Sequence, residues 1–522
     1  MEHQQLEPSE DSSKVRAETE RLGAGPLRLA GGAGVSFAGK LTGKVGHVLV
    51  QVIFARLLGV DDFGRFALGI TLVRMLGTIA PLGLVRAVVV LGSKYWRVDE
   101  RRFKGVVYSA MGFTLLGGAF VSILLVVLAE HASQTFGQSM LSTMHMRMFA
   151  LLVAPFALMR LTVEISRISH RMQFAVMAED IAQPLVALLV VVMLLPVGVG
   201  LAGATMATAA SLVLSCGLAI WFCARLFPSI TDRDVEPIWE TRELTTFAAS
   251  ISLSLICGVC CSMVDRLIVG TYRAPDEMAF YQAASQVAVA FTIILGSFAN
   301  IFGPMAALHH ARGEKEELGK LMRTSTNWGL YLAVPLFAFF FVVPGLVLRV
   351  TFGDPYEAAS VVLVILAVGQ LVNVGTGNVG VLLVTSGNQG AWVWLSFGAL
   401  VTNGVIGMAL TPAYGILGAS IGNLLANLVL FGGGTLVARA RLEVWPYERR
   451  TLKIAIAGVV AGIAGVIVER FTDSSHSLVL LASVAATVLV VFYGTVLLLG
   501  IEAEDRSLAR LLLRQVRRKS VY

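Results

Sequence analysis

The chain has 522 residues, of which 56% are hydrophobic and only 14% are charged, and its mean hydropathy is +0.76. A soluble protein of this length needs far more surface charge, so the composition excludes a water-soluble enzyme or binding domain. The net charge of +7 does not indicate nucleic-acid binding, because the basic residues lie between apolar runs. The 52 glycines are typical of packed transmembrane helices. The sequence therefore predicts an all-α integral membrane protein.

Residues 1–28 contain no apolar core and no small-residue cleavage site, so they predict a disordered cytoplasmic tail and not a signal peptide. About fourteen apolar runs follow, each long enough to cross ~30 Å of hydrocarbon, and such continuous runs favour helices over barrel strands. The predicted spans are 34–58, 63–91, 106–128, 146–168, 174–195, 201–222, 244–271, 279–308, 328–348, 361–385, 391–410, 416–437, 452–468 and 478–500.

Lysine and arginine are concentrated in alternate segments between the predicted spans. Cytoplasmic segments carry the excess of basic residues, so this pattern predicts that both termini are cytoplasmic and that the number of spans is even. We expect five regions. They are a cytoplasmic tail (1–28), an amino-terminal six-helix lobe (29–226), a carboxyl-terminal six-helix lobe (244–440), two additional helices (451–500) and a basic cytoplasmic tail (501–522).

Two short motifs occur twice in the chain. Ala55-Arg56-Leu57-Leu58-Gly59 with Phe63-Gly64-Arg65-Phe66 recurs loosely as Asp265-Arg266-Leu267-Ile268 with Phe280-Tyr281. Gly200-Leu201-Ala202-Gly203-Ala204-Thr205 recurs as Gly415-Ile416-Leu417-Gly418-Ala419-Ser420. Both pairs are separated by roughly 210–215 positions, which predicts two parallel six-helix repeats about an axis along the membrane normal.

Together with Leu82-Gly83-Leu84 and Tyr414-Gly415, these motifs resemble the polysaccharide and oligosaccharide flippases of the multidrug/oligosaccharidyl-lipid/polysaccharide exporter superfamily. The resemblance implies two helical lobes, alternating access and export of an undecaprenyl-diphosphate-linked sugar. Its motifs assign neither the sugar nor the site residues. The site residues below are therefore predicted from their positions within the spans.

Polar side chains form one stripe on the first span. At about 100° per residue, Lys40, Lys44, His47 and Gln51 fall on one narrow helix face. A lysine near the bilayer centre costs at least ~2.5–3.5 kcal/mol, so it is tolerated only when it faces a protein interior or a water-filled cavity. We predict that Lys40, Lys44 and His47 bind an anionic headgroup. Alternatively, Lys40 snorkels to the cytoplasmic headgroups and Lys44 pairs with an acid of another helix.

Arg74 and Arg160 are the further predicted ligands of this headgroup. Arg74 lies near the middle of the second span, which Pro81-Leu82-Gly83 should break or bend, as in spans that line a cavity. Arg160 lies on the fourth span beside Glu164, which is spaced to pair with Arg160 and with Arg167. Glu164 is predicted to act in the inner gate or in ion coupling, and a purely structural salt bridge is the alternative.

Asp265, Arg266 and Arg56 are predicted to act in an outer gate or in ion coupling. Arg56 and Arg266 occupy equivalent positions of the repeat, and Asp265 is an acid inside an apolar run. Because adjacent residues point to different helix faces, Asp265 and Arg266 are not expected to pair. The alternative is that both arginines only anchor the chain at the outer membrane interface.

Amides are the main polar groups of the carboxyl-terminal half. Gln282, Gln286 and Asn300 form a stripe on the eighth span, and Asn373 lies on the tenth. We predict that they contact sugar hydroxyls, with packing hydrogen bonds between helices as the alternative.

The favoured function is a secondary transporter that flips a lipid-linked oligosaccharide, with membrane lipids, a polysaccharide polymerase and glycosyltransferases as expected partners. A multidrug-type cation antiporter and a membrane-embedded glycosyltransferase or polymerase are the alternatives. No cofactor or metal is expected. We do expect transport to be coupled to a proton or Na⁺ gradient. The chain has no nucleotide-binding P-loop, and the outward segments are too short for an enzyme site.

Overall fold

The computed structural model describes residues 42–137, 140–169, 171–472 and 477–500. Within these ranges the chain is almost entirely helical and contains no β-strand, which confirms the predicted all-α class. The described part of the first helix, α1, covers 42–58. The α-helices α2 to α22 are, in order, Val60–Ile79, Leu84–Tyr95, Glu100–Val127, Ala129–Phe136, Thr143–Ala150, Val153–Arg167, Met172–Ala175, Gln183–Leu194, Leu201–Leu226, Pro228–Thr231, Thr241–Tyr272, Pro275–Ala311, Lys315–Val342, Pro344–Phe352, Ser360–Gly375, Val379–Thr385, Gln389–Tyr414, Ile416–Asn427, Gly433–Leu442, Arg449–Phe471 and Ser477–Leu498.

The protein is a multi-pass membrane protein. In the described residues, twelve helical segments are long and apolar enough to cross a membrane, or thirteen if the bent pair α2 and α3 is counted as one span. The first predicted span, 34–58, lies partly outside the described residues, so the total of fourteen stays a prediction. The predicted tails, 1–28 and 501–522, lie wholly outside them.

The second span is broken where the sequence predicts it. Helices α2 and α3 meet at an angle of 42° across residues 80–83. Gly83 has a φ of +83°, a conformation that other residues rarely adopt. A β-carbon there would lie 2.4 Å from the carbonyl oxygen of Ala248 on α12. Glycine is therefore required both for the turn and for the close approach of α12.

The helices pack as two groups. The N-terminal bundle (α1–α10) is held together by contacts of α7 with α2, α4 and α10, whereas in the C-terminal bundle (α12–α20) α16 contacts α13, α14 and α19. Helix α21 packs against α14 and α22, outside both bundles. Helix α2 joins the bundles, because it lies against α12 and α13.

The two bundles are closed against each other at the ends that are predicted to face outward. Gly64 on α2 lies so close to α13 that a β-carbon would be 1.8 Å from the carbonyl oxygen of Pro275. Beside this contact, Tyr356 packs against Phe63 and Phe280, with ring centroids 6.1 and 5.8 Å away. We call this contact region of α2, α13 and residues 350–356 the outer seam.

Candidate functional site

The C-terminal bundle contains a polar cavity of about 260 Å³, which we call the C-chamber. Helices α12, α13, α16, α18 and α19 surround it, together with a π-helix at Leu428–Gly432. Its polar lining residues are Cys261, Ser262, Asp265, Arg266, Ser285, Thr292, Gln370, Asn373, Ser396, Asn423 and Asn427. A cavity with several convergent polar groups is the usual form of a small-molecule site.

A second, smaller cavity of about 40 Å³ lies in the N-terminal bundle, and we call it the N-pocket. His47 and Gln51 reach it from α1, Arg74 from α2 and Thr208 from α10. The structure therefore places the predicted ligands His47 and Arg74 on one pocket. The Oε1 atom of Gln51 is buried and has no hydrogen-bond partner, so the pocket has unused polar capacity.

Arg74 is half-buried, and its guanidinium forms no hydrogen bond or ion pair with any residue that the structure describes. The charged groups that act on Arg74 are two more cations, Arg160 of the N-terminal bundle and Arg266 of the C-terminal bundle. A partly buried positive charge without a counter-ion is unfavourable, so these positions favour the binding of an anion.

Lys44 connects α1 to the C-chamber. Its Nζ donates a hydrogen bond of 3.4 Å to the hydroxyl of Thr292, a lining residue of the C-chamber on α13. The side chain is half-buried between the bundles, so it does not extend freely into the cytosol. Lys40, the other predicted ammonium ligand, lies outside the described residues.

The pairing predicted for Arg160 is wrong. Its Nη1 lies 3.2 Å from Glu179, and Glu179 also binds Arg167 at 3.1 Å. Glu164 binds Arg167. Glu179 belongs to a π-helix, Val176–Ala182, which places its carboxylate between the two arginines. Sequence reasoning missed Glu179, although an acid inside the apolar run 174–195 was the available signal.

Asp265 is the acid among the described lining residues of the C-chamber, and several neighbours bind its carboxylate. Its side chain is 2% exposed and accepts hydrogen bonds from the hydroxyl of Tyr281 at 2.6 Å and from Asn423 at 3.0 Å. The guanidinium of Arg266 lies 3.4 Å from it, so the expectation that these neighbours do not pair is wrong. Their β-carbons do diverge, but the long arginine side chain folds back.

The two repeat-equivalent arginines have different surroundings. Arg56 donates hydrogen bonds to the backbone carbonyls of Thr351, at 3.0 Å, and of Val350, and so ties α1 to the outer seam. Arg266 lines the C-chamber and donates from Nε to Gln282 at 3.1 Å. Arg266 therefore does more than anchor the chain at the membrane interface.

The four predicted sugar-binding amides are dispersed. Asn373 lines the C-chamber, and its Oδ1 is buried without a hydrogen-bond partner. Gln282 is bonded to Arg266, and Gln286 lines neither the C-chamber nor the N-pocket. The side chain of Asn300 lies outside the described part of the structure. Gln370, one helical turn before Asn373, is a lining amide that sequence reasoning missed.

An apolar groove of about 740 Å³ runs along the outside of the C-terminal bundle. Helices α14, α16 and α21 form its walls, and Gly462 leaves open space on its α21 side. We call it the tail groove. Its lining is almost wholly apolar, which suits a hydrocarbon chain better than a headgroup.

Comparison with known proteins gives both sequence and structural relatives. A probable low-salt glycan biosynthesis flippase of Haloferax volcanii, Agl15, is 22% identical over 190 residues, which span 36% of this chain and 40% of that relative. The fold is similar to that of the lipid II flippase MurJ in an inward closed conformation, with a TM-score of 0.71 at 13% identity over 88% of this chain and 98% of that one.

It is also similar to an inward-facing multidrug resistance transporter of the MATE family in the MOP superfamily. That match has a TM-score of 0.62 at 17% identity and covers 77% of this chain and 94% of the transporter. The relatives are thus flippases and transporters, and the solved structures support the fold. The family described as polysaccharide biosynthesis protein matches residues 53–361, which is more than half of the chain. The chain is therefore a member of the polysaccharide biosynthesis protein family, with the fold of the MOP transporters.

Proposed function

We propose that this protein is a flippase that moves a polyprenyl-diphosphate-linked oligosaccharide from the cytoplasmic to the outer leaflet of the cell membrane. The observation that carries the proposal is Arg74, whose guanidinium pairs with none of the described residues and is under the influence of two further arginines, one from each bundle. A diphosphate offers several anionic oxygens, and arginine binds phosphate through charge-assisted, often bidentate hydrogen bonds.

Lys44 extends this cationic surface along α1, and His47 adds an imidazole that can hydrogen-bond to a phosphate oxygen. Lys44 contacts Thr292 at the C-chamber, and His47 lines the N-pocket with Arg74. A headgroup that is held between α1, α2 and the C-chamber would contact both bundles at once. Its binding would therefore depend on how the bundles are arranged, which is what alternating access requires.

The tail groove gives the lipid chain a separate path. A polyprenyl chain is hydrocarbon, so it is most stable against an apolar surface or in the bilayer, while the headgroup needs polar surroundings. Helix α21 forms one wall of the groove and lies outside the two bundles. This position suits a role of the extra helices in supporting the tail.

Asp265 is the proposed coupling residue. It is the acid that lines the C-chamber, and its carboxylate already contacts Tyr281, Asn423 and Arg266. Binding of a proton or of Na⁺ there would loosen its contact with Arg266. Arg266 would then be free to bind the anionic headgroup.

A cation antiporter of the multidrug type is the competing function, and the similarity to a MATE transporter favours it. An organic cation needs an accessible carboxylate. Asp265 is bonded to three neighbours, and Glu179 is bonded to Arg160 and Arg167. Arg74 lines the N-pocket and would repel a cation. The charge arrangement therefore supports the flippase.

Depletion of the protein in its native host tests the function. The proposal expects lipid-linked oligosaccharide to accumulate on the cytoplasmic leaflet, where a membrane-impermeant glycosidase or lectin added to intact cells cannot reach it. In the same experiment the surface polysaccharide should decrease, because the polymerase and the outer glycosyltransferases lose their substrate. Accumulation on the outer leaflet would reject a flippase and favour a defect in polymerisation.

A further inference from the structure

We infer that the wall formed by Asn373, Gln370, Phe431 and Trp392 is a subsite for a neutral sugar ring of the translocated headgroup. The inference rests on the proposed function and specifies which part of the cavity binds the glycan. It starts from a third cavity, of about 480 Å³, which we call the vestibule. Asn373 and Phe431 line both the vestibule and the C-chamber, so they form the partition between the two spaces.

The hydrogen bonding of Asn373 is incomplete. Its amide nitrogen donates to Oε1 of Gln370 at 3.4 Å, whereas its own Oδ1 is buried and accepts no hydrogen bond from any described residue. Leaving a buried acceptor unsatisfied costs roughly 1–3 kcal/mol, so a ligand that supplies a hydrogen-bond donor would be favoured there. A sugar hydroxyl is such a donor, and it carries no charge.

Aromatic rings complete the wall. Phe431 lies in the π-helix Leu428–Gly432, a type of irregularity that is frequent at functional sites. Its ring centroid is 6.1 Å from that of Trp392, which also lines the vestibule. Trp392 fits closely because Gly380 has no side chain, since a β-carbon there would be 2.7 Å from the indole. The rings offer flat apolar surface in the same cavity that Asn373 lines.

The charges at this wall distinguish between ligand classes. Among the described residues, no charged side chain lines the vestibule, and the charged lining residues of the C-chamber are Asp265 and Arg266, which contact each other. A diphosphate would find no counter-charge at Asn373, and a hydrocarbon tail would leave its Oδ1 unsatisfied. A pyranose ring has both a C–H face for the aromatic rings and hydroxyl donors for the amides. The wall therefore fits a sugar.

Binding to the purified full-length protein tests the inference. The two probes are undecaprenyl diphosphate and the undecaprenyl-diphosphate-linked glycan extracted from cells depleted of the protein. The variants are Asn373→Ala, Phe431→Ala and Phe431→Leu, which keeps an apolar side chain of similar size without the aromatic ring. Phe397→Ala is the matched control, because Phe397 is an exposed aromatic residue of α18 that lines neither cavity.

The wild type should bind the glycan-linked probe about tenfold more tightly than the bare lipid diphosphate. Asn373→Ala and both Phe431 variants should lose this tenfold preference, with binding of the bare lipid unchanged, and Phe397→Ala should keep it. Equal wild-type affinity for both probes, or variants that weaken both probes equally, would overturn the sugar subsite while the flippase stands. If the wild type binds neither probe, the proposed function itself is rejected, and the subsite with it.

Discussion

Arg74 is the clearest sign of function because no residue in the described part of the chain compensates its charge. The two neighbouring arginines do have acidic partners. Arg160 is bound to Glu179, and Arg266 contacts Asp265. An arginine near the bilayer centre costs at least ~2.5–3.5 kcal/mol, and a counter-ion would relieve much of that cost. Because the described residues supply none to Arg74, we attribute its retention to the ligand.

Replacing Arg74 with alanine should weaken the binding of undecaprenyl diphosphate about 10- to 100-fold, since charge-assisted hydrogen bonds contribute roughly 1.5–3 kcal/mol. Arg74→Lys should retain part of the affinity, because it keeps the charge but loses the bidentate geometry. Arg86→Ala is the control, because Arg86 is an exposed arginine on α3, beyond the kink that follows the Arg74 helix. Binding is measured on purified protein by ligand-induced thermal stabilisation. Unchanged affinity of Arg74→Ala would remove Arg74 from the site.

Asp265→Asn keeps the shape of the carboxylate but removes its charge and its ability to bind a proton. We expect flipping in reconstituted vesicles to fall roughly tenfold and to become independent of an imposed ion gradient, because Arg266 loses its partner. The control is Asp276→Asn at the start of α13, outside the C-chamber. A variant of Asp265 that still responds to the gradient would assign coupling to another group.

Helix ends and breaks position these side chains. The kink at 80–83 separates the Arg74 segment of α2 from α3, and a π-helix brings Glu179 to Arg160. Another π-helix carries Phe431 to the C-chamber. Each irregularity coincides with a side chain of the candidate site, as is common where backbone regularity gives way to function.

The outer seam depends on the absence of a side chain at Gly64. Gly64→Ala would place a methyl group 1.8 Å from the carbonyl oxygen of Pro275, so α2 and α13 must separate. We predict a loss of about 1–3 kcal/mol in the stability of the closed seam. The readouts are a lower melting temperature and faster labelling of a cysteine introduced at Phe280.

Gly112→Ala is the control, because its methyl group would meet nothing within 4 Å. It should leave both readouts unchanged or slightly raise stability. Identical behaviour of the two variants would contradict the role of Gly64.

The sequence predicts most of the fold and only part of the site. Long apolar runs identify the helices because the bilayer sets their length, and Pro81 with Gly83 identifies the break. Local periodicity places Lys44 and His47 on one face of the first span, but Lys44 contacts the C-chamber whereas His47 lines the N-pocket. Periodicity fails where a partner comes from another helix. Glu164 satisfies the local rule for Arg160, yet the actual partner, Glu179, is nineteen positions away on a different helix. Similarly, spacing alone does not show that Gln282 is occupied by Arg266.

At the scale of the whole molecule, the tail groove is the proposed binding surface for the lipid chain. Gly462→Trp should fill part of the groove, because Gly462 lines it and a β-carbon there meets nothing within 4 Å. We expect it to reduce the flipping of long-chain polyprenyl substrates several-fold and to leave a short-chain analogue unaffected, since apolar contact area falls only for the long chain. Gly494→Trp on α22, equally open but outside the groove, is the control. An equal loss for both chain lengths would argue against a tail site.

The measurement that most directly tests the central claim is translocation by the purified full-length protein in proteoliposomes. Fluorescent undecaprenyl-diphosphate-linked glycan is placed in both leaflets, and its access to an impermeant quencher is followed over time. We predict that the wild type moves the lipid much faster than empty vesicles do and that Arg74→Ala falls to the empty-vesicle rate, while Arg86→Ala remains active. Translocation by Arg74→Ala at the wild-type rate, or transport of an organic cation in place of the lipid, would contradict a flippase built around a cationic headgroup site.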